Sequence, residues 1–313
     1  MKNIVEELQR RGVTDVRERE PLSRHTTWKV GGPADILVYP KNGAELEETM
    51  RIVREHRLPW TVIGRGSNLL VRDGGIRGVV IKLDEGFNHL RIEGTRVTVG
   101  GGYSTILLAS VTAKKGLSGL EFAGGIPGNV GGAVYMNAGA HGSEISRVLR
   151  NATVLLESGE WVTLDNRQLA FRYRTSILQK ELRGIVTEAV FELEPGNKEE
   201  IGAKLAKYKE YRRLTQPLQF PCAGSVFRNP PGDHAGRLIQ ESGLKGFRIG
   251  DAEVSELHAN FIINRGQATA ADILGLIRHI IRTVEEKHGV RLEPEVLVIG
   301  EDGLPDESGN IHS

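Results

Sequence analysis

Three polar side chains and two glycine-dense loops carry the chemistry that this 313-residue chain can offer. Arg174, in FRYRTS at 171–176, has a planar guanidinium fork that matches the geometry of a carboxylate. Taken alone in so strand-like a run, a solvated strand arginine is the default reading. Ser225, in AGSVFRNP at 223–230, has a hydroxyl that could deliver a proton, although Gly-Ser pairs are also ordinary turn chemistry. Glu295 follows Pro294 and opens onto an apolar run, where a strand-edge glutamate is the default. The loop GRGSNLL at 64–70 follows a β-like run and could turn successive backbone N–H groups onto an anion. A plain turn would use the same residues. It has neither the Gly-Lys-Ser/Thr of a Walker A loop nor a GxGxxG dinucleotide fingerprint. The loop GGIPGNVGG at 124–132 has five glycines among nine residues, more than turn chemistry alone requires. It reads either as a backbone cradle for a ligand or as a crossover packed tightly on a neighbouring strand.

These residues need elements to hold them. A helix is expected over 3–11, a strand over 34–40 and a helix over 42–57 with Leu46, Met50 and Val53 at helical spacing. A strand at 58–64 then delivers the first glycine loop. Alternating apolar residues between 79 and 99 predict short strands, and 104–115 a helix before the second glycine loop. Alternation returns over 151–193, and EPGNKEE at 194–200 reads as a linker. A helix follows, with Ile201, Leu205, Tyr208 and Tyr211 marking one face and Pro217 closing it. Its basic stretch at 207–213 is either a solvated face or a contact for a diphosphate. From about Ala270 a second amphipathic helix is bounded by a Thr269/Asp272 capping box and by Gly289. The strand EVLVIG at 295–300 is the last element, and the tail from 301 is expected to fray.

Composition narrows the function classes. Forty-one Lys plus Arg against 40 Asp plus Glu give a net charge of +1, so nothing favours nucleic acid or a charged membrane surface. The single Cys222 rules out a disulfide framework and a multi-cysteine metal site. The nine histidines show no HxxxH or HExxH spacing, so no metal is expected. No run approaches the roughly 18–20 apolar residues of a membrane helix, and the charged start MKNIVEELQRRGV has no secretory apolar region. A soluble protein of a reducing compartment is the expectation. Residue by residue, the reading stops at a glycine-rich cofactor or nucleotide binder of two domains.

The segments taken together go further. HTTWKVGGPAD at 25–35, GRGSNLL at 64–70 and GLEFAGGIPGNVGGA at 119–133 are followed by FRYRTS, AGSVFRNP, HANFIIN at 258–264 and LEPEV at 292–296. In this order the chain resembles the UDP-N-acetylenolpyruvoylglucosamine reductase family over about 21–300. The resemblance implies an α+β fold: an FAD-binding PCMH-type (vanillyl-alcohol-oxidase-like) domain over 1–197, with subdomains of about 1–85 and 86–197. A C-terminal α+β substrate-binding domain would cover 198–313, its final strand at 292–300 returning to the active site. FAD would be held by Gly64, Arg65, Gly66, Ser67, Asn68 and Leu69, and by Gly124, Gly125, Ile126, Pro127, Gly128, Val130, Gly131 and Gly132. Relatives with covalent flavin carry a histidine or cysteine near the first loop; Ser67 and Asn68 stand there, which implies non-covalent FAD. The strand near 185–193 passes directly into EPGNK, so the chain resembles the shorter subtype, without an inserted tyrosine loop.

The implied reaction is NADPH-dependent reduction of UDP-N-acetylenolpyruvoylglucosamine to UDP-N-acetylmuramate, a cytoplasmic step of peptidoglycan precursor synthesis, with no protein partner implied. Hydride passes through flavin N5 to the enolpyruvyl methylene, and charge builds on the neighbouring carbon and its carboxylate as an enolate. By resemblance Arg174 clamps that carboxylate, Glu295 polarises and orients it, and Ser225 protonates the carbon. Tyr173, Arg213, Asn229 and His258 stand where the family contacts substrate, although relatives often have glutamine at the last of these. Another FAD oxidoreductase of the superfamily and a non-redox sugar-nucleotide-binding protein remain alternatives at this point.

Overall fold

The computed structural model describes residues 2–302, so the expected fraying of the tail beyond Asp302 lies outside the described residues. Two compact units form, and neither is one stretch of chain. Among the described residues, the first comprises 2–18, 36–64 and 79–212; the second comprises 19–35, 65–78 and 213–302. Seven α-helices are described: α1 (Lys2–Arg10), α2 (Gly43–Glu55), α3 (Thr105–Lys114), α4 (Val130–Tyr135), α5 (Lys198–Thr215), α6 (Ala235–Glu241) and α7 (Ala270–His288). Among the described residues no helix is long and apolar enough to cross a membrane.

The first unit contains an antiparallel five-stranded sheet in the order Trp161–Asp165, Leu149–Leu156, Gly184–Glu192, Arg96–Gly100, Leu90–Glu93. α3 and α4 place Leu108, Ala109, Val130 and Val134 in the same core cluster as the sheet residues Val97, Val99, Val154 and Phe191. Trp60–Ile63, the strand that ends at the first glycine loop, pairs in parallel with Ile76–Lys82. A second core cluster gathers Leu46, Met50 and Val53 of α2 with Ile4, Val5 and Leu8 of α1, as their helical spacing requires. The segment expected as a linker is instead pinned: Glu194–Pro195 pairs antiparallel with Leu117–Ser118, and α5 starts three residues later at Lys198. In α5, Ile201 and Leu205 are buried as expected, but Tyr211 is 58% exposed. Its ring meets His141 edge-on instead of entering the core.

In the second unit α7 carries the largest apolar stripe. Ile273, Leu276, Ile277, Ile280 and Val284 are buried, each contributing about 1.5–3 kcal/mol relative to exposure. The Thr269/Asp272 capping box forms as expected, and Gly289 ends the helix at φ 66°. Asp73 adds its carboxylate to the N–H groups of Ala270 and Ala271, both at 2.9 Å. The stripe packs into one cluster with Trp28, Leu70, Val226, Phe227 and Val296. Leu69–Val71 pairs in parallel with Leu297–Ile299, so the residues after the first glycine loop and the final strand lie side by side.

Candidate active site

The first loop is built to leave donors open. Among the described residues, no backbone N–H of Arg65, Gly66, Ser67 or Asn68 donates to a protein group, while the Gly66 carbonyl accepts from Thr27 N–H. Gly66 sits at φ 64°, and a Cβ there would lie 2.4 Å from the carbonyl oxygen of His25. Only glycine fits both the left-handed backbone and that approach. Four consecutive uncommitted N–H groups suit the phosphate oxygens of a dinucleotide cofactor.

The second loop is more committed than its glycine count suggests. The N–H groups of Ile126, Gly128, Val130 and Gly131 donate to the carbonyls of Ala123, Ile126, Tyr103 and Gly101. Thr105 Oγ1 also holds the Ile126 and Gly128 carbonyls. The glycines serve close packing at several positions: a Cβ at Gly131 would lie 3.0 Å from the Val186 carbonyl, whereas one at Gly132 would meet nothing within 4 Å. Asn129 is the residue that the sequence reading passed over. Its Nδ2 donates to the Gly102 carbonyl at 2.5 Å, and its Oδ1 is buried with no hydrogen-bond partner among the described residues. A Cβ on Gly64 would stand 2.8 Å from that oxygen. An orphaned acceptor beside the first loop's entry fits a ligand rich in hydroxyl and N–H donors, as FAD is.

Ser225 and Glu295 are brought together. Ser225 lies in an irregular extended segment after Gly224 at φ 75°, and not in a regular strand. The Val226 N–H donates to the Asn260 carbonyl at 2.9 Å, and Asn260 clamps Phe227 through both its N–H and its carbonyl, each at 2.9 Å. Glu295 N–H donates to the Val226 carbonyl at 2.7 Å, and its own carbonyl accepts from Asn68 Nδ2 at 3.2 Å. The first glycine loop, the Ser225 segment and Glu295 thus form one hydrogen-bonded network in the second unit. Asn260 was missed as a support; a polar residue inside the apolar run HANFIIN was its only signal.

Arg174 belongs to the first unit, with Tyr173 and the second glycine loop. It is not on a strand, contrary to the expectation from its neighbours. Arg172 and Thr175 exchange backbone hydrogen bonds at 2.9 and 3.0 Å, and Arg174 occupies the turn between them at φ 55°. A non-glycine residue held there is strained and is held by its surroundings. Asn137, fully buried, donates to the Arg172 carbonyl at 3.0 Å, and Arg174 Nη2 donates to the Gly139 carbonyl at 2.7 Å. The guanidinium carbon lies 5.0 Å from the centre of the half-exposed Tyr173 ring.

The remaining expected contacts divide. Asn229 Oδ1 accepts from Ala235 N–H at 3.1 Å and so helps to start α6. His258 Nδ1 accepts from Asn260 N–H at 3.2 Å. Burial first, and then the Lys245 charge, hold its pKa below the ordinary imidazole value, so Nε2 is left as a neutral donor. Arg213 lies in the last turn of α5.

Known protein families match two stretches of the chain. Residues 34–165 match the family model of an FAD binding domain, and residues 216–299 match that of the UDP-N-acetylenolpyruvoylglucosamine reductase C-terminal domain. The UDP-N-acetylenolpyruvoylglucosamine reductase of Bacillus licheniformis is 57% identical over 96% of this chain and 99% of its own length. That of Bacillus subtilis is 54% identical over 96% of this chain and 99% of its own. The crystal structure of UDP-N-acetylenolpyruvylglucosamine reductase from Thermus caldophilus superposes with a TM-score of 0.79 at 41% identity, over 91% of this chain and all of that one.

Proposed function

Because the chain belongs to the UDP-N-acetylenolpyruvoylglucosamine reductase family, we propose that it reduces the enolpyruvyl ether of UDP-N-acetylenolpyruvoylglucosamine to UDP-N-acetylmuramate with NADPH and FAD. The observation that carries this reading is the network in which Asn68 of the glycine loop bonds the backbone of Glu295, and Glu295 bonds that of Val226 beside Ser225. It supports a reading in which the first glycine loop and the backbones that carry Glu295 and Ser225 share one hydrogen-bonded frame. The reaction is assigned to the cytoplasm, as a step of peptidoglycan precursor synthesis. The FAD-binding share of the chain is assigned to 1–197 and the substrate-binding share to 198–313.

Bound FAD supplies a two-electron carrier between NADPH and the alkene. Arg65–Asn68 would hold its pyrophosphate through their uncommitted N–H groups; the missing Cβ of Gly64 makes room for Asn129 Oδ1, and Gly132 faces open space. Arg174 binds the substrate carboxylate bidentately and stabilises the charge that develops on it. Glu295 polarises and orients the same group. Ser225 gives its proton to the carbon beside the carboxylate. Tyr173, Arg213, Asn229 and His258 contact the sugar nucleotide.

The flavin assignment is testable without turnover. The purified protein should be yellow, and acid precipitation should release intact FAD into the supernatant. Gly66→Ala must place a Cβ within 2.4 Å of a carbonyl oxygen at a left-handed φ, so its flavin occupancy should fall. Strain of this kind corresponds to roughly tenfold weaker retention or more. Flavin that stays with the precipitated chain would refute non-covalent binding, and a protein colourless even after FAD addition would refute the reductase reading.

A further inference from the structure

The hairpin that receives the Arg174 guanidinium is tied to α5 by an aromatic stack that the reaction, as assigned above, does not use. Gly139–Ala140 pairs antiparallel with Ser143–Glu144, and the two residues of the turn, His141 and Gly142, both have left-handed backbones at φ 51° and 76°. At the base of the hairpin the Gly139 carbonyl accepts from Arg174 Nη2 at 2.7 Å, and a Cβ on Gly139 would lie 3.0 Å from Nη1. At its tip the imidazole of His141 lies flat on the ring of Tyr208, with centroids 4.0 Å apart and planes 1° from parallel, while Tyr211 meets it edge-on at 5.7 Å. Tyr208 is one turn beyond Leu205, which α5 buries in the core of the first unit. A two-stranded hairpin with two residues on each side has little stability of its own. A polar, half-buried histidine at its tip, held at a left-handed backbone angle uncommon outside glycine, has its ring placed by more than the turn alone.

We infer that His141 and Tyr208 are positioning residues: their stack fixes the Gly139–Glu144 hairpin against α5, and the hairpin in turn aims the Arg174 fork. Burial, and secondarily the Arg212 charge, lower the His141 pKa from its ordinary value. The stacked ring is therefore neutral and interacts with tyrosine as one aromatic face with another. Neither ring needs to touch the substrate. A guanidinium that must meet a carboxylate with both nitrogens is sensitive to displacements far smaller than an ångström-scale swing of an untethered hairpin. The inference rests on the reading of Arg174 as the carboxylate clamp.

The test separates the two claims with half-reaction kinetics on the flavin-loaded enzyme. His141→Ala, and from the opposite side Tyr208→Leu, should leave flavin content and reduction by NADPH unchanged. Each should slow reoxidation by the enolpyruvyl sugar nucleotide roughly tenfold, the scale of losing one aromatic pair. His141→Phe keeps a flat ring and should restore reoxidation to within about threefold of wild type. In an Arg174→Ala background, His141→Ala should add less than a factor of about two, because the group it aims is already gone. If His141→Ala multiplies its full effect onto Arg174→Ala, or slows both half-reactions alike, the positioning role is wrong while the clamp stands. If Arg174→Ala itself reoxidises at the wild-type rate, the clamp is wrong and the inference falls with it.

Discussion

Ser225→Ala should slow reoxidation of the reduced enzyme by the enolpyruvyl sugar nucleotide roughly 10²–10⁴-fold, the range for loss of a positioned general acid. Reduction by NADPH and flavin content should not change. The backbone sets this expectation. Gly224 at φ 75° turns the chain, Val226 is bonded on one side to Asn260 and on the other to Glu295, and Phe227 is clamped twice by the Asn260 side chain. The hydroxyl of Ser225 therefore projects from a segment with almost no freedom to relax. A serine hydroxyl is a poor acid toward water, but a carbon bearing enolate charge is a strong base, so the transfer becomes favourable once hydride has arrived. Ser225→Cys keeps a donor of similar placement and should recover part of the rate; a solvent deuterium effect should appear in reoxidation and not in flavin reduction. A Ser225→Ala enzyme that reoxidises at nearly the wild-type rate would reduce Ser225 to a turn residue.

Arg174→Ala and Glu295→Ala should each cost at least about two orders of magnitude in the same half-reaction, the scale of removing a donor aimed at developing charge. Arg174 is held at φ 55° by the Arg172–Thr175 hydrogen bonds, by Asn137 beneath and by the Gly139 carbonyl, so its orientation is prepared before substrate binds. Arg174→Lys keeps the charge and loses the fork, and should remain badly impaired. Glu295 differs. Glu295→Gln keeps the length and polarity of the side chain, so it should retain more activity than Glu295→Ala. Stopped-flow traces of each half-reaction check both expectations. Equal losses in flavin reduction and reoxidation would indicate a role in folding or in holding the flavin.

What the sequence revealed tracks how local each cause is. The capping box and terminal glycine of α7 lie within a turn of what they control, and both formed as read. The motifs from HTTWKVGGPAD to LEPEV identified the family because each keeps its own short pattern. Causes acting across the chain stayed hidden. Arg174 looks like a strand residue until Asn137 and Gly139, more than 30 positions away, bend it into a left-handed turn. Asn260 supports the Ser225 segment from 33 positions beyond Phe227, and only its polarity inside the apolar run HANFIIN hints at that. The second glycine loop looked like a row of donors, yet the carbonyls of Gly101 and Tyr103 had already taken two of them. The interleaving of the two compact units is likewise invisible in a linear reading, because the chain changes unit inside strands at 35/36 and 78/79 and inside α5 at 212/213.

The central claim is that electrons pass from NADPH through a tightly held flavin to an enolpyruvyl sugar nucleotide. It is tested most directly by the visible spectrum of the purified enzyme under anaerobic conditions. One equivalent of NADPH should bleach the flavin band, and UDP-N-acetylenolpyruvoylglucosamine added next should restore it in full, with the nucleotide recovered carrying two additional hydrogens. A flavin that stays bleached until oxygen is admitted would contradict the account.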